Sequence, residues 1–295
     1  MSPIPGCDRH LDAEVVRTLL REQFPQLAGE PVAYLAEGYD HQMYEVGEWL
    51  FRFPKRAEVV PWFVHEVEAL TVIEPVIGVP VPRFEYVGQP SEGFPYPFAG
   101  YRRLPGIGAD TAERIDVSHL AAGIGRALTN LHSIDAALIT SVPHQEPEPP
   151  VWDFRSDDTI LDCIPHSLRD DVGAFLHGEV PRPAFDGPDR VVHSDLLPEH
   201  VLVDPSTGAL SGIIDFADLS IGDPTGDFVG LLEIGGRELI DATLAHYGCD
   251  RDVLYYERLE WRLRAFHLHE LVRAVRDGSD PSDEREMVAL AFGGG

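Results

Sequence analysis

The chain has 295 residues, three cysteines, a single lysine at Lys55 and a formal net charge of -27. That length suffices for one large core or for two lobes around a cleft, and the acidity argues against a nucleic-acid partner while suiting a polycationic small molecule. Cys7, Cys163 and Cys249 are too scattered for a disulfide framework or a zinc spacing, and there is no basic-then-apolar leader or membrane-length apolar run, so the expectation is a soluble, cytoplasmic protein with no membrane partner.

Residues 12–24 place Val15, Val16, Leu19, Leu20 and Phe24 at helical spacing and predict a short amphipathic helix. A meander of three strands follows at 32–35, 43–46 and 49–53, broken at 37–41 and at Gly47-Glu48. The first break holds one glycine, Gly38, and reads as an ordinary hairpin turn as well as a phosphate loop. On the third strand, alternation sets Phe51 and Phe53 on one face and Leu50 and Arg52 on the other, until Pro54 ends it. Residues 61–73 predict a helix whose apolar face carries Phe63, Val67, Leu70 and Ile73, with Glu66 on a neighbouring face and Glu68 on another. Strands at 79–87 and 96–101 flank a Pro/Gly-rich turn, and 102–106 leaves the sheet. A lobe boundary is placed there, separating 1–101 from 102–295.

Residues 118–134 predict a helix capped by Ser118, with His132 buried or capping near its end. The four prolines of 143–150 make a surface loop, and 152–177 gives acidic, interrupted helical turns without an assignable role. Short β runs at 191–192, 201–203 and 213–214, with a turn at 204–208, predict a hairpin. A register setting Val203 opposite Gly212 and His200 opposite Asp215, open to a slip of two residues, lets both side chains reach one ion. Asp195 stands in the loop entering the first of these strands. A carboxylate beside an ion held by a second carboxylate suits phosphoryl transfer: the one orients and deprotonates a hydroxyl, the ion neutralises phosphate oxygens. Two helical segments, 227–247 and 253–275, close the chain.

The runs His193-Ser194-Asp195, His200-Val201-Leu202-Val203-Asp204, Ile213-Ile214-Asp215-Phe216-Ala217-Asp218 and Gly222-Asp223-Pro224-Thr225-Gly226-Asp227-Phe228 resemble the catalytic core of the aminoglycoside phosphotransferase family, a branch of the protein-kinase-like fold. His200 stands where asparagine is usual there, a variant similar to aminoglycoside 2''-phosphotransferases and macrolide kinases. The resemblance implies an α+β, two-lobed fold: a small antiparallel-sheet nucleotide-binding lobe at 1–101 and a mainly helical catalytic and substrate-binding lobe at 102–295.

It further implies ATP or GTP as co-substrate and Mg²⁺ held by His200 and Asp215. Asp195 becomes the catalytic base, and His193 and Asp227 brace its loop. Gly38 to His41 marks the loop over the nucleotide. Arg52 takes the place of the usual phosphate-gripping lysine, with Lys55 as second candidate; Glu66 is its helix partner, with Glu68 second. Main chain of Ala99 to Tyr101 holds the purine. Asp218, Glu233 and Glu238, with Trp261, hold the ammonium groups of a cationic substrate. The implied reaction moves a γ-phosphate to a hydroxyl of an aminoglycoside-type antibiotic, giving resistance. The alternatives are a macrolide or metabolic acceptor, a metal-dependent hydrolase using His193, Asp195, His200 and Asp215 as ligands, or a non-catalytic nucleotide binder.

Overall fold

The alternating apolar runs of the first hundred residues close into a five-stranded antiparallel sheet, ordered β1 (Val32–Glu37), β2 (His41–Val46), β3 (Trp49–Pro54), β5 (Phe98–Arg102) and β4 (Phe84–Gly88). The structure is a computed structural model and describes residues 6–139, 141–145, 158–179 and 182–293. Most of the loop expected at 143–150, and the first part of the turns expected at 152–177, fall outside the described residues.

One face of the sheet is aromatic. Phe53 stacks on Phe98 at 4.8 Å and meets Phe94 edge-on at 5.6 Å, geometries each worth about 1 kcal/mol beyond burial. Phe51 fits because Gly100 on β5 has no side chain: a Cβ there would lie 2.5 Å from the Phe51 ring. Helix α1 (Ala13–Gln23) covers this face with Val16, Leu19 and Leu20, and starts at Asp12, whose carboxylate accepts from the backbone N–H of Glu14 and Val15.

Helix α2 (Val60–Ile77) runs further than 61–73 at both ends, with Pro61 in its first turn and Gly78 in the left-handed conformation (φ 79°) closing it. Its first half lies under the sheet, where Phe63 contacts the rings of His41 and Phe84. Its second half gives Ala69, Leu70, Ile73 and Ile77 to a second, mostly aliphatic core. Strand β5 runs through Arg102, and the second core takes in the second half of α2 from before it.

That second core is helical. Helix α3 (Val117–His132) packs on α5 (Leu231–His246), and α6 (Tyr255–Asp277) packs on α7 (Ser282–Phe292), while the shorter α4 (Arg169–Leu176) adds Val172 and Phe175. The cap of α3 is Asp116, not Ser118: Asp116 has extended backbone and accepts from His119 N–H, whereas Ser118 is already inside the first turn. Two small sheets lie against this core, β7 (Arg190–Val192) with β10 (Ser220–Gly222), and β6 (Ile107–Gly108) with β8 (Val201–Val203) and β9 (Leu210–Ile213). Among the described residues no helix is long and apolar enough to cross a membrane.

The hairpin register differs from expectation by one residue. Leu202 stands opposite Gly212 and Val203 opposite Leu210, with a bulge that turns Ser211 out to bond the Pro105 carbonyl. His200 lies before the strand, in a 3₁₀ turn begun by Pro198, and its carbonyl accepts from Ile214 N–H. His200 and Asp215 are thus brought together by a turn and not by a ladder pair.

Candidate active site

Two strands feed one loop, and the loop is held from beneath. Asp227, fully buried, accepts from His193 N–H and Ser194 N–H at 2.8 Å each, and the His132 ring contacts it at 2.9 Å while its other nitrogen contacts the Tyr247 hydroxyl. Those hydrogen bonds, with His132 and His193 on its side, hold Asp227 below the ordinary carboxylate range against the pull of burial. The His193 ring is buried, faces the Ile214 carbonyl at 3.1 Å and accepts from Asp195 N–H; burial lowers its pKa to about 4, so it stays neutral. Gly230 completes the support, because a Cβ there would lie 2.3 Å from the Leu196 carbonyl.

On this base sit two non-glycine residues with positive φ, Ser194 (69°) and Asp215 (64°). Each costs about 1–3 kcal/mol and persists only where surroundings enforce it. Ser194 is fixed by Asp227 and by a 2.6 Å hydroxyl contact with Ser220. Its twist presents Asp195, while that of Asp215 turns a carboxylate back toward the same cleft.

Asp195, His200 and Asp215 converge there. His200 Nδ1 lies 2.7 Å from the Asp195 carbonyl oxygen and 3.3 Å from its carboxylate, and His200 Nε2 lies 3.6 Å from Asp215 Oδ2. Burial raises the Asp195 carboxyl to about 6, His200 opposing and Asp218 and Asp215 adding to it. Asp215 is held well below the usual carboxylate range, because Arg52 and then His200 outweigh its own burial. His200 Nδ1 faces a carbonyl oxygen, which can only accept, so Nδ1 carries the hydrogen. Nε2, toward Asp215, is the nitrogen that can ligate an ion once it gives up a proton that Asp215 and Asp195 favour against burial. One imidazole nitrogen and one ionised carboxylate, with room for water and phosphate oxygens, fit a hard divalent cation that takes few protein ligands.

The sheet sends a cation into the same space. Arg52 Nη1 donates to Glu66 Oε1 at 2.7 Å and Nη2 to Asp215 Oδ1 at 3.0 Å, so one guanidinium joins β3, α2 and the segment after β9. Glu66 is fully buried, and its Oε1 also accepts from Phe216 N–H, fixing the residue next to Asp215. Burial raises the Glu66 carboxyl to about 7 with Arg52 pulling the other way. Of the two glutamates weighed on α2, Glu68 is exposed; of the two cations, Lys55 is buried and turned away, to Glu37 at 2.7 Å and the Gly38 carbonyl. Gly38 lies in a tight turn closed by its N–H to the His41 carbonyl.

Ala99 and Tyr101 are not where the expectation needs them. Both lie within β5, which is paired with β3 on one side and β4 on the other, so their main-chain groups are committed to the sheet. Past Arg102 the chain leaves the sheet, with Arg103 N–H donating to the Glu48 carbonyl and the Pro105 carbonyl accepting from Ser211. The sequence showed where the strand was but not that it was interior.

Beside Asp195 opens a cavity of about 270 Å³ lined by Asp195, Leu196, Leu197, Val229, Trp261 and Phe266, with Arg262 and His269 among the rest. Of the four residues expected to hold substrate, only Trp261 lines it. Asp218 is not part of its wall; loss of water around the carboxyl within the cleft, and then the Asp215 charge, raise it. Glu233 sits in the first turn of α5 near Glu199, Glu270 and Glu284, and burial ahead of those neighbours raises it to about 7. Glu238 is exposed beyond a break at Gly235-Gly236 that turns the helix after Glu233. Sequence reading missed Arg262, Phe266 and His269, although with Trp261 and Ala265 they recur at helical spacing along α6. It also left unassigned the His41 ring, buried 3.3 Å from Arg52.

A model of a family described as "Phosphotransferase enzyme family" matches residues 32–262. Viomycin phosphotransferase of Streptomyces vinaceus is 35% identical over 99 residues, so the match spans about a third of this chain and 33% of that curated relative. The GDP complex of an aminoglycoside 2'-phosphotransferase-IIIa superposes with a TM-score of 0.74 at 25% identity, covering 95% of this chain and 97% of that one. A macrolide 2'-phosphotransferase from Brachybacterium faecium gives a TM-score of 0.63 at 20% identity over 95% and 97% of the two chains, a likeness of fold.

Proposed function

The chain belongs to the phosphotransferase enzyme family, and from that premise we propose that it transfers the γ-phosphate of ATP or GTP to a hydroxyl of an antibiotic, giving resistance. The observation that carries the reading is the convergence of Asp195, His200, Asp215 and Arg52 on one cleft from both lobes, with Asp215 and the residue before Asp195 in strained backbone.

In this reading Asp195 orients the acceptor hydroxyl and takes its proton. His200 Nε2 and Asp215 would hold Mg²⁺, which when bound neutralises charge on the phosphate oxygens. Arg52, already anchored by Glu66, exchanges its contact with Asp215 for phosphate oxygens, its planar fork matching two at once. Purine recognition falls to main chain of the crossing where β5 ends, next to Ala99 and Tyr101. An enzyme using nucleoside triphosphates in this way works in the cytoplasm.

Acceptor class is the finer question. The carboxylates Asp218 and Glu233 support a cationic, aminoglycoside-type acceptor reached across the cleft mouth. The cavity itself supports a second reading, a macrolide, because its wall of Leu196, Leu197, Val229, Trp261 and Phe266 suits a large apolar body better than a polyamine. Transfer from γ-labelled ATP and GTP to a panel of aminoglycosides and macrolides tests both. Acceptor-dependent labelling is expected; a bound transition metal with no nucleotide dependence would return the hydrolase alternative.

A further inference from the structure

Away from the cleft, behind the turn that follows β1, the N-terminal segment crosses the sheet and brings Cys7 and His10 against Glu37. One donor atom from each lies within 4.8 Å of the other two, the only group of three or more such residues among those described. We propose that Cys7, His10 and Glu37 form a zinc site with an open fourth position, independent of the phosphotransfer reading.

Chemistry favours zinc over a hard cation. A thiolate, an imidazole and a carboxylate form a borderline-soft set whose two negative charges neutralise Zn²⁺, whereas Mg²⁺ and Ca²⁺ seek oxygen alone. Donors at 2.0–2.3 Å from a tetrahedral ion lie roughly 3.3–3.8 Å apart. Cys7 Sγ and Glu37 Oε1 already stand at 3.5 Å. The remaining adjustment falls to His10, whose side chain is exposed and open to solvent. On binding, the Cys7 thiol gives its proton to solvent and the S–Zn bond forms, with no change of oxidation state.

The surroundings are built for it. Gln42 is buried, and Leu11 N–H donates to its Oε1, which fixes the amide so that Nε2–H points at Cys7 Sγ, 2.8 Å away. A donor aimed at sulfur stabilises a thiolate and orients it, as outer partners of metal ligands do. Lys55 bonds Glu37 Oε1 at 2.7 Å, the oxygen that faces Cys7 Sγ, and so holds that carboxylate in place beside the thiol. Asp8, between the two N-terminal ligands, is pinned by its N–H to the Lys55 carbonyl and by its carboxylate to Ala57 N–H and the Tyr96 hydroxyl. Only the ligand arrangement is thereby set before the metal arrives.

The test uses the full chain with Zn²⁺ as the sole probe. Zinc is expected to protect Cys7 from iodoacetamide, read by peptide mapping against Cys163 in the same sample, and to raise the melting temperature. His10→Ala, which removes an exposed ring, should weaken both effects at least roughly tenfold in zinc concentration. Cys7→Ser, read by melting temperature, should do the same. Cys7 alkylation unchanged by zinc, or protection undiminished in His10→Ala, overturns the proposal.

Discussion

Two sets of carboxylates serve one loop of this chain and have opposite characters. Asp227 is fully buried and surrounded by donors, with two backbone N–H groups and a histidine ring on its oxygens. Asp195 and Asp215 are half-open and share one histidine, and of the two only Asp215 has Arg52 beside it. Satisfied polar groups rigidify a fold; like charges gathered with too few partners are kept for something else to complete them. The difference separates the residues that hold the loop from those we propose act on phosphate.

The sharpest way to break that contrast is at Asp195. Asp195→Ala should lower turnover by about 10³-fold or more, as expected for loss of a positioned base acting with the cation site, while nucleotide affinity changes little. Retained turnover would move Asp195 to the structural set. Next comes its opposite: Asp227→Ala strips the partner from three buried groups and should cost about 3–5 kcal/mol. A urea midpoint like that of the parent chain would show the brace to be dispensable.

A smaller effect sharpens the comparison through pH. His193 and His267 are buried and neutral, each lowered to about 4 by burial. An unfolded histidine takes its proton near 6.5. Between those values the unfolded chain binds more protons than the folded one, so stability falls as pH drops from 6.5 toward 4, by up to roughly 3 kcal/mol per histidine. His267→Leu should flatten part of that slope in urea titrations at pH 7 and pH 4.5, and an unaltered slope would mean that His267 is protonated in the folded chain.

How far the sequence could be read varied with how local the cause was. The meander, α2 and the catalytic hairpin were legible because periodicity and turn residues are local signals, whereas the pairing of Arg52 with Glu66 came from the family resemblance. The hairpin register escaped because a bulge at Ser211 answers to Pro105, some hundred residues away. That Ala99 and Tyr101 lie in an interior strand was hidden for a similar reason, since strand order and not strand identity decides which main chain is left over. Acidic residues on the closing helices all looked alike in sequence, and a two-glycine break in α5 alone parted Glu233 from Glu238.

By itself the sequence determined most of the longer elements, though not α7, and the order in which the chain presents its chemical groups, because each follows from spacing along the backbone. Tertiary structure decided which groups meet: Arg52 with Asp215 across the cleft, Cys7 and His10 with Glu37, and an apolar wall beside Asp195. Those pairings depend on burial and on distances between segments remote in the chain, and no pattern of neighbours along it encodes them.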